Sequence, residues 1–195
     1  MVYISLGSNC SVTWWLNKLE LRTHAFPFDW SSFTLKHFLN VLEQDFNEFS
    51  ETLKIKHISE NHPDKDGKAT VVIKNKYNFN FAHEVLKEEN LEDFKITINR
   101  RIQRFKNIQK DNCIIYVRIE LKIVKEDYLK DLTTLIKSLD KINENYILKL
   151  IINSNSIKIK INMDKIHVYY FEDFSPDWKM SHLDWKSILT NPSYE

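Results

Sequence analysis

The sequence predicts an α/β protein: a three-layer, Rossmann-like domain with a mostly parallel central sheet and a small antiparallel excursion near residues 53–82. Three observations carry this. Short, dense apolar runs at 2–6, 113–119, 146–152 and 166–171 have the length and near-continuous hydrophobicity of strands buried on both faces. Longer segments between them repeat apolar residues every three or four positions, as helices do. The alternation of the two patterns places parallel strands side by side with helices across them. With 195 residues the chain has the length of one domain, 1–195.

Residues 2–6 form the first strand, and Gly7-Ser8-Asn9-Cys10 breaks it. A helix follows over 9–20, with Val12, Trp15, Leu16 and Leu19 on one side. The chain has only two glycines, Gly7 and Gly67, so Gly7 at this break points to a positive φ or a close backbone approach. Leu21 to Trp30 is an ordered aromatic loop, because Pro27 fixes its own φ and pushes Phe26 out of the helical region. Ser31 or Ser32 caps the next helix, whose stripe Leu35, Phe38, Leu42, Phe46 and Phe49 runs to about residue 50.

Residues 53–59 read as an edge strand, 60–68 as a polar turn-rich loop, and 69–73 and 77–82 as two further strands closed by His83-Glu84. A long helix spans about 88–110 with Leu91, Phe94, Ile98, Ile102, Phe105 and Ile108 inward. Its other side carries Lys95, Arg100, Arg101, Arg104, Lys106 and Lys110. This is expected to be a solvated face, since a nucleic-acid surface interleaves aromatics with its cations, and here the aromatics fall on the buried side. The strand 113–119 ends at Arg118 and Glu120. A helix over 125–139, the strand 146–152, an alternating stretch at 157–161, the strand 166–171 and a short helix near 184–190 complete the chain.

The formal charge of +1 gives no global field toward nucleic acid. No apolar run approaches the roughly eighteen residues that a membrane span needs, and no basic leader precedes the first strand. Two cysteines, Cys10 and Cys113, are expected as free thiols in a reducing, cytoplasmic compartment. Gly-x-Gly-x-x-Gly and Gly-x-x-x-x-Gly-Lys are both absent, and the seven histidines lack metal-ligand spacing, so no cofactor and no metal are expected.

Chemistry concentrates at the first turn. A strand that turns directly into a helix leaves backbone N–H groups free there, and their field favours a thiolate. Cys10 is thus the candidate nucleophile, with Asn9 and the turn amides as oxyanion donors. His83 is the candidate base, with His24 and His182 as alternatives. Asp29, Asn153 and Asp173 are candidates to orient the histidine. Ligands of α/β sheets collect at the carboxyl ends of the strands, where Gly7, Ser8, Arg118, Asn153 and Asp173 lie and to which the Trp30 loop is close in sequence. Two alternatives stand beside the thiol hydrolase. One is a serine acyl hydrolase using Ser8 with Asp177 and His182. The other is a non-catalytic domain that holds an anionic or sugar ligand at the sheet's carboxyl edge.

Ile4-Ser5-Leu6-Gly7-Ser8-Asn9-Cys10 followed by Phe26-Pro27-Phe28-Asp29-Trp30 resembles the signature of a family labelled putative papain-like cysteine peptidases, with members in bacteria and large DNA viruses. The resemblance continues through Phe81-Ala82-His83-Glu84, Arg100-Arg101-Ile102-Gln103-Arg104-Phe105, Tyr116-Val117-Arg118 and Trp185, and so spans nearly the whole chain. Glu84 stands where the family carries aspartate. The resemblance implies a cysteine-dependent hydrolase with Cys10 as nucleophile and His83 as its histidine. A peptide, acyl or glycan-related compound is the implied substrate, and neither nucleic acid nor membrane is an expected partner.

Overall fold

The computed structural model describes residues 1–59, 70–81, 90–108, 113–121, 123, 127–155, 161, 163–172 and 177–191. The elements in chain order are β1 (Val2–Ser5), α1 (Ser11–Lys18), β2 (Ser31–Ser32), α2 (Leu35–Glu43), β3 (Lys54–Ser59), β4 (Thr70–Lys74), β5 (Asn80–Phe81), α3 (Leu91–Lys106), β6 (Ile114–Glu120), α4 (Tyr128–Ile142), β7 (Tyr146–Asn153), β8 (Ile166–Phe171) and α5 (Trp185–Thr190). The loop 60–68, His83-Glu84 and all but residue 161 of the stretch 157–161 lie outside the described residues.

The apolar runs form a four-stranded parallel sheet in the order β1-β6-β7-β8. Every residue of β6 is buried, as expected of a strand with neighbours on both edges and helices on both faces. Side chains alternate across the sheet with period two. Ile4, Ile114, Tyr116, Leu148, Leu150 and Ile152 face one core, against α2, α3 and α4. Tyr3, Ile115, Val117, Ile119 and Ile151 face the other, against Val12 and Leu16 of α1 and Trp185 and Leu189 of α5. Helices therefore cover both faces, and the fold is α/β.

Lys149 is the polar exception on the α5 side. Its buried Nζ donates to the carbonyls of Ile188, Leu189 and Asn191 at 2.8–2.9 Å, satisfying the open carboxyl end of α5. Burial pushes its ammonium down to about 8.

The expected excursion is a sheet of its own, antiparallel in the order β2-β5-β4-β3. It adds Val71, Ile73 and Phe81 to the core shared with α2, α3 and α4. Ser31 and Ser32 are its edge strand rather than a helix cap, and the α2 cap is Thr34, whose Oγ1 accepts the His37 amide at 3.3 Å. The strand expected over 77–82 is reduced among its described residues to Asn80–Phe81. The Asn75 side chain takes the amides of Tyr77 and Phe79, and Asn78 sits at φ +62°, so the chain turns there. Helix α2 stops at Glu43 instead of running to residue 50, because Asp45, Phe46 and Glu48 adopt positive φ. Phe46 and Phe49 are nonetheless buried, as their spacing implied: Phe46 packs on Phe28, Phe49 and Phe105. The basic side of α3 is partly engaged rather than wholly solvated. Arg104 donates to the Ala25 carbonyl, and Lys106 pairs with Asp45 at 2.8 Å. Among the described residues no helix is long and apolar enough to cross a membrane.

Candidate functional site

Backbone geometry explains the residues of the first turn. Gly7 has φ +73°, and a Cβ there would lie 2.5 Å from the Phe33 ring, so both reasons for a glycine apply at once. Ser8 forms an isolated antiparallel bridge with Phe33, just past β2, and its amide and Oγ both donate to the Ile119 carbonyl at 3.3 and 2.7 Å. The Asn9 Oδ1 accepts the Ser11 amide at 2.7 Å, an Asx turn that leads into α1. Cys10 follows in helical conformation, its carbonyl accepting the Trp14 amide.

This arrangement corrects the expectation of an acidic, reachable thiol. Cys10 is 8% exposed, and burial pushes its thiol up to about 12. A hydrogen bond to its own backbone opposes this. The physical reason lies in what packs around the turn. Ser11, Val12, Thr13 and Leu16 are all buried, so α1 lies down on the sheet and carries its first turn inside with it. A helix end contributes about 0.3–1 kcal/mol at an exposed site, whereas full burial shifts a titrating group by up to several units. Desolvation wins. His83, the proposed partner, lies outside the described residues.

The other expected site residues divide into groups. Asp29 is buried, and its Oδ2 accepts both Nε and Nη2 of Arg22 at 2.9 and 2.8 Å and the Phe26 amide at 2.8 Å. The Thr13 hydroxyl donates to its other oxygen at 3.4 Å. Its bonds tie the proline loop to α1, and among the described residues none is to a histidine. Trp30, at φ +58°, donates its amide to Thr13 Oγ1. Asn153 Oδ1 accepts the amide of Asn155 in a turn, and Asp173 is outside the described residues. His182 packs on Phe171, which belongs to the core on the α1 and α5 side, and makes no hydrogen bond with Ser8; the structure does not bring the serine pair together.

Arg118 and Ser8 are brought to a common place. A cleft of about 860 Å³ opens beyond the carboxyl ends of β1 and β6. Ser8, Glu120 and Leu121 form its sheet side, Tyr128 and Asp131 of α4 a second wall, and Phe33, Thr34, Lys36 and His37 around the start of α2 a third. Ser32, Lys74 and Asn80 of the antiparallel sheet close it. Cys10 is not one of its walls. Arg118 lies fully buried behind this surface, donating Nε to Glu120 Oε1 and Nη1 to the Leu6 carbonyl, both at 2.6 Å. Burial pushes the Glu120 carboxyl up, and Arg118 pulls it back. Burial, with Lys74 and Lys36 nearby, lowers His37, so its ring is neutral at pH 7.

Glu120, Tyr128 and His37 were missed as site residues. One signal for Glu120 was present: period-two alternation puts Tyr116, Arg118 and Glu120 on the same side of β6, and two opposite charges in that row require a shared polar environment. Nothing in the local pattern marks Tyr128, which reads as an ordinary inward helix residue.

Comparison with known proteins adds one relative and one family. The chain is 28% identical over 219 residues to "Uncharacterized protein R408" of Acanthamoeba polyphaga mimivirus, covering 97% of each chain. No solved structure matches. Residues 1–155 match the family described as "Putative papain-like cysteine peptidase (DUF1796)". That stretch takes in the Gly7–Cys10 turn, the proline loop and the strands that build the cleft, and the chain belongs to this family.

Proposed function

We propose that this protein binds a small polar molecule, sugar-like or anionic, in the cleft at the carboxyl edge of its parallel sheet. The observation that supports this is the cleft itself. Its volume of about 860 Å³ lies in the range of small-molecule sites, and its position is the one where open α/β sheets take ligands. The walls carry the groups such a ligand needs. Ser8, Ser32 and Thr34 offer hydroxyls, Asn78 and Asn80 offer amides, and Phe33 offers an aromatic surface. Lys36 and Lys74 favour an anionic group at that wall.

Titrating isotope-labelled protein with a panel of monosaccharides and their phosphates, followed by NMR, tests the reading. Amide shifts are expected at Ser8, Phe33, Thr34 and Glu120. Shifts confined to the Trp30 loop or to the neighbourhood of Cys10, or none from any compound, contradict it.

A second reading has its own support. Family membership favours thiol hydrolysis of a peptide, acyl or glycan-related substrate, with Cys10 as nucleophile and His83 as base. It needs Cys10 to become reachable and to lose its proton at neutral pH. Hydrolysis of peptide or thioester substrates that is abolished by Cys10→Ser and kept by Ser8→Ala supports this reading over the first.

A further inference from the structure

The end of β6 holds a polar cluster whose hydrogen bonding is incomplete. Arg118 is fully buried and Glu120 is 4% exposed. Two of the three guanidinium nitrogens of Arg118 are used, by Glu120 and by the Leu6 carbonyl. The third, Nη2, has no partner among the described residues. Tyr128, at the first position of α4 and 5% exposed, likewise has a buried hydroxyl with no partner among the described residues. Its phenolic oxygen lies in the field of both Glu120 and Arg118. An orphaned buried donor costs roughly 1–3 kcal/mol, and two beside a single carboxylate at the wall of one cleft form a prepared place for an absent partner.

The complementarity narrows what that partner is. The carboxylate accepts. The guanidinium nitrogen donates. The phenol does either. A phosphate or carboxylate oxygen placed here would face the Glu120 charge. An ammonium would satisfy Glu120 but has no lone pair for Tyr128 or Arg118 to donate to. A hydroxyl both donates and accepts, and so serves the two groups that line the cleft, Glu120 and Tyr128.

We infer that Glu120 and Tyr128 are a hydroxyl-reading pair, and that the cleft's ligand is a sugar or polyol whose hydroxyl donates to the Glu120 carboxylate and accepts from Tyr128 Oη. Arg118, behind the wall, is a positioning residue that fixes the carboxylate. This rests on the cleft being the ligand site and goes further by naming the ligand chemistry and the residues that read it.

The test uses the full chain and the same panel of monosaccharides and phosphates, with deoxy analogues of whichever sugar binds. Tyr128→Phe removes only the orphaned oxygen. It is expected to leave the melting temperature of the free protein unchanged or slightly higher, and to weaken sugar binding about tenfold, the size of one hydrogen bond to a charged or buried site. Glu120→Gln keeps the shape and is expected to weaken binding at least as much. One deoxy analogue, which lacks both bonds, should lose at least as much affinity on the unaltered protein as Tyr128→Phe causes, and should lose less on the Tyr128→Phe variant than on the unaltered protein. If a sugar shifts cleft signals but its affinity is indifferent to Tyr128→Phe and to every deoxy position, the hydroxyl-reading pair is wrong while the cleft reading stands. If no compound of the panel shifts cleft signals, both fall.

Discussion

Ser8 and Cys10 are two residues apart and lie in opposite environments. Ser8 stands on the wall of an 860 Å³ cleft among hydroxyls, amides and charged groups. Cys10, one turn further on, is 8% exposed and holds its proton up to about 12. The difference comes from which side of the sheet each enters. The glycine turn bends Ser8 toward Phe33 and the antiparallel sheet, whereas Cys10 leads into α1, whose Val12 and Leu16 pack in the core with Trp185. A thiol at a helix start is activated only where water or a positive partner also reaches it; sealed in, the same position makes it inert.

The largest effects should come from the cleft side. Arg118→Met leaves the Glu120 carboxylate buried without its partner and should cost about 3–5 kcal/mol in urea denaturation. Arg118→Met with Glu120→Leu should recover most of that loss, and a double variant as unstable as the single would show that packing, rather than charge, holds this wall. Next comes the hinge between the two environments. Gly7→Ala adds a methyl 2.5 Å from Phe33 at a backbone angle of φ +73° and should destabilise by roughly 2–4 kcal/mol. A loss below a few tenths would mean that the turn relaxes freely.

On the Cys10 side the effect is a pH dependence. The folded thiol titrates near 12 and the ordinary value is 9.0. Between these the unfolded chain gives up its proton and the folded chain keeps it. The contribution of Cys10 to stability is therefore complete below pH 9 and is lost as pH rises toward 12, at a slope of at most about 1.4 kcal/mol per pH unit. Cys10→Ala should flatten that part of the stability profile. The smallest change is expected for Asn9→Ala, which removes the turn bond to the Ser11 amide and should cost about 1 kcal/mol, without altering ligand affinity in the cleft.

Much of the scaffold could be read before any coordinates. β6 and β7 announce themselves as apolar runs because strands buried on both faces have no polar alternation to confuse them. Gly7 stood out because the chain uses so little glycine, and its φ and its contact with Phe33 supply the reason. What was not legible depends on packing between distant segments. A strand, a turn and a helix give the same local pattern whether the helix lies open or is pressed onto a sheet, so the burial of Cys10 could not be seen. β2 is two residues long and exists only because β5 pairs with it. Phe46 and Phe49 kept the helical spacing of the buried stripe, while positive φ at Asp45, Phe46 and Glu48 had already ended the helix. Arg118 and Tyr128 belong to different elements, and the conjunction beside Glu120 of their groups unpartnered among the described residues is a property of the folded wall alone.

The most direct measurement is alkylation of the native chain with iodoacetamide across a pH series, mapped by mass spectrometry. The half-buried Cys113 should be modified first at pH 7, and Cys10 should react slowly there, its rate still climbing with no plateau below about pH 12. Cys10 reacting ahead of Cys113 at pH 7, with a plateau near neutrality, would contradict the sealed thiol and return the chemistry to that sulfur.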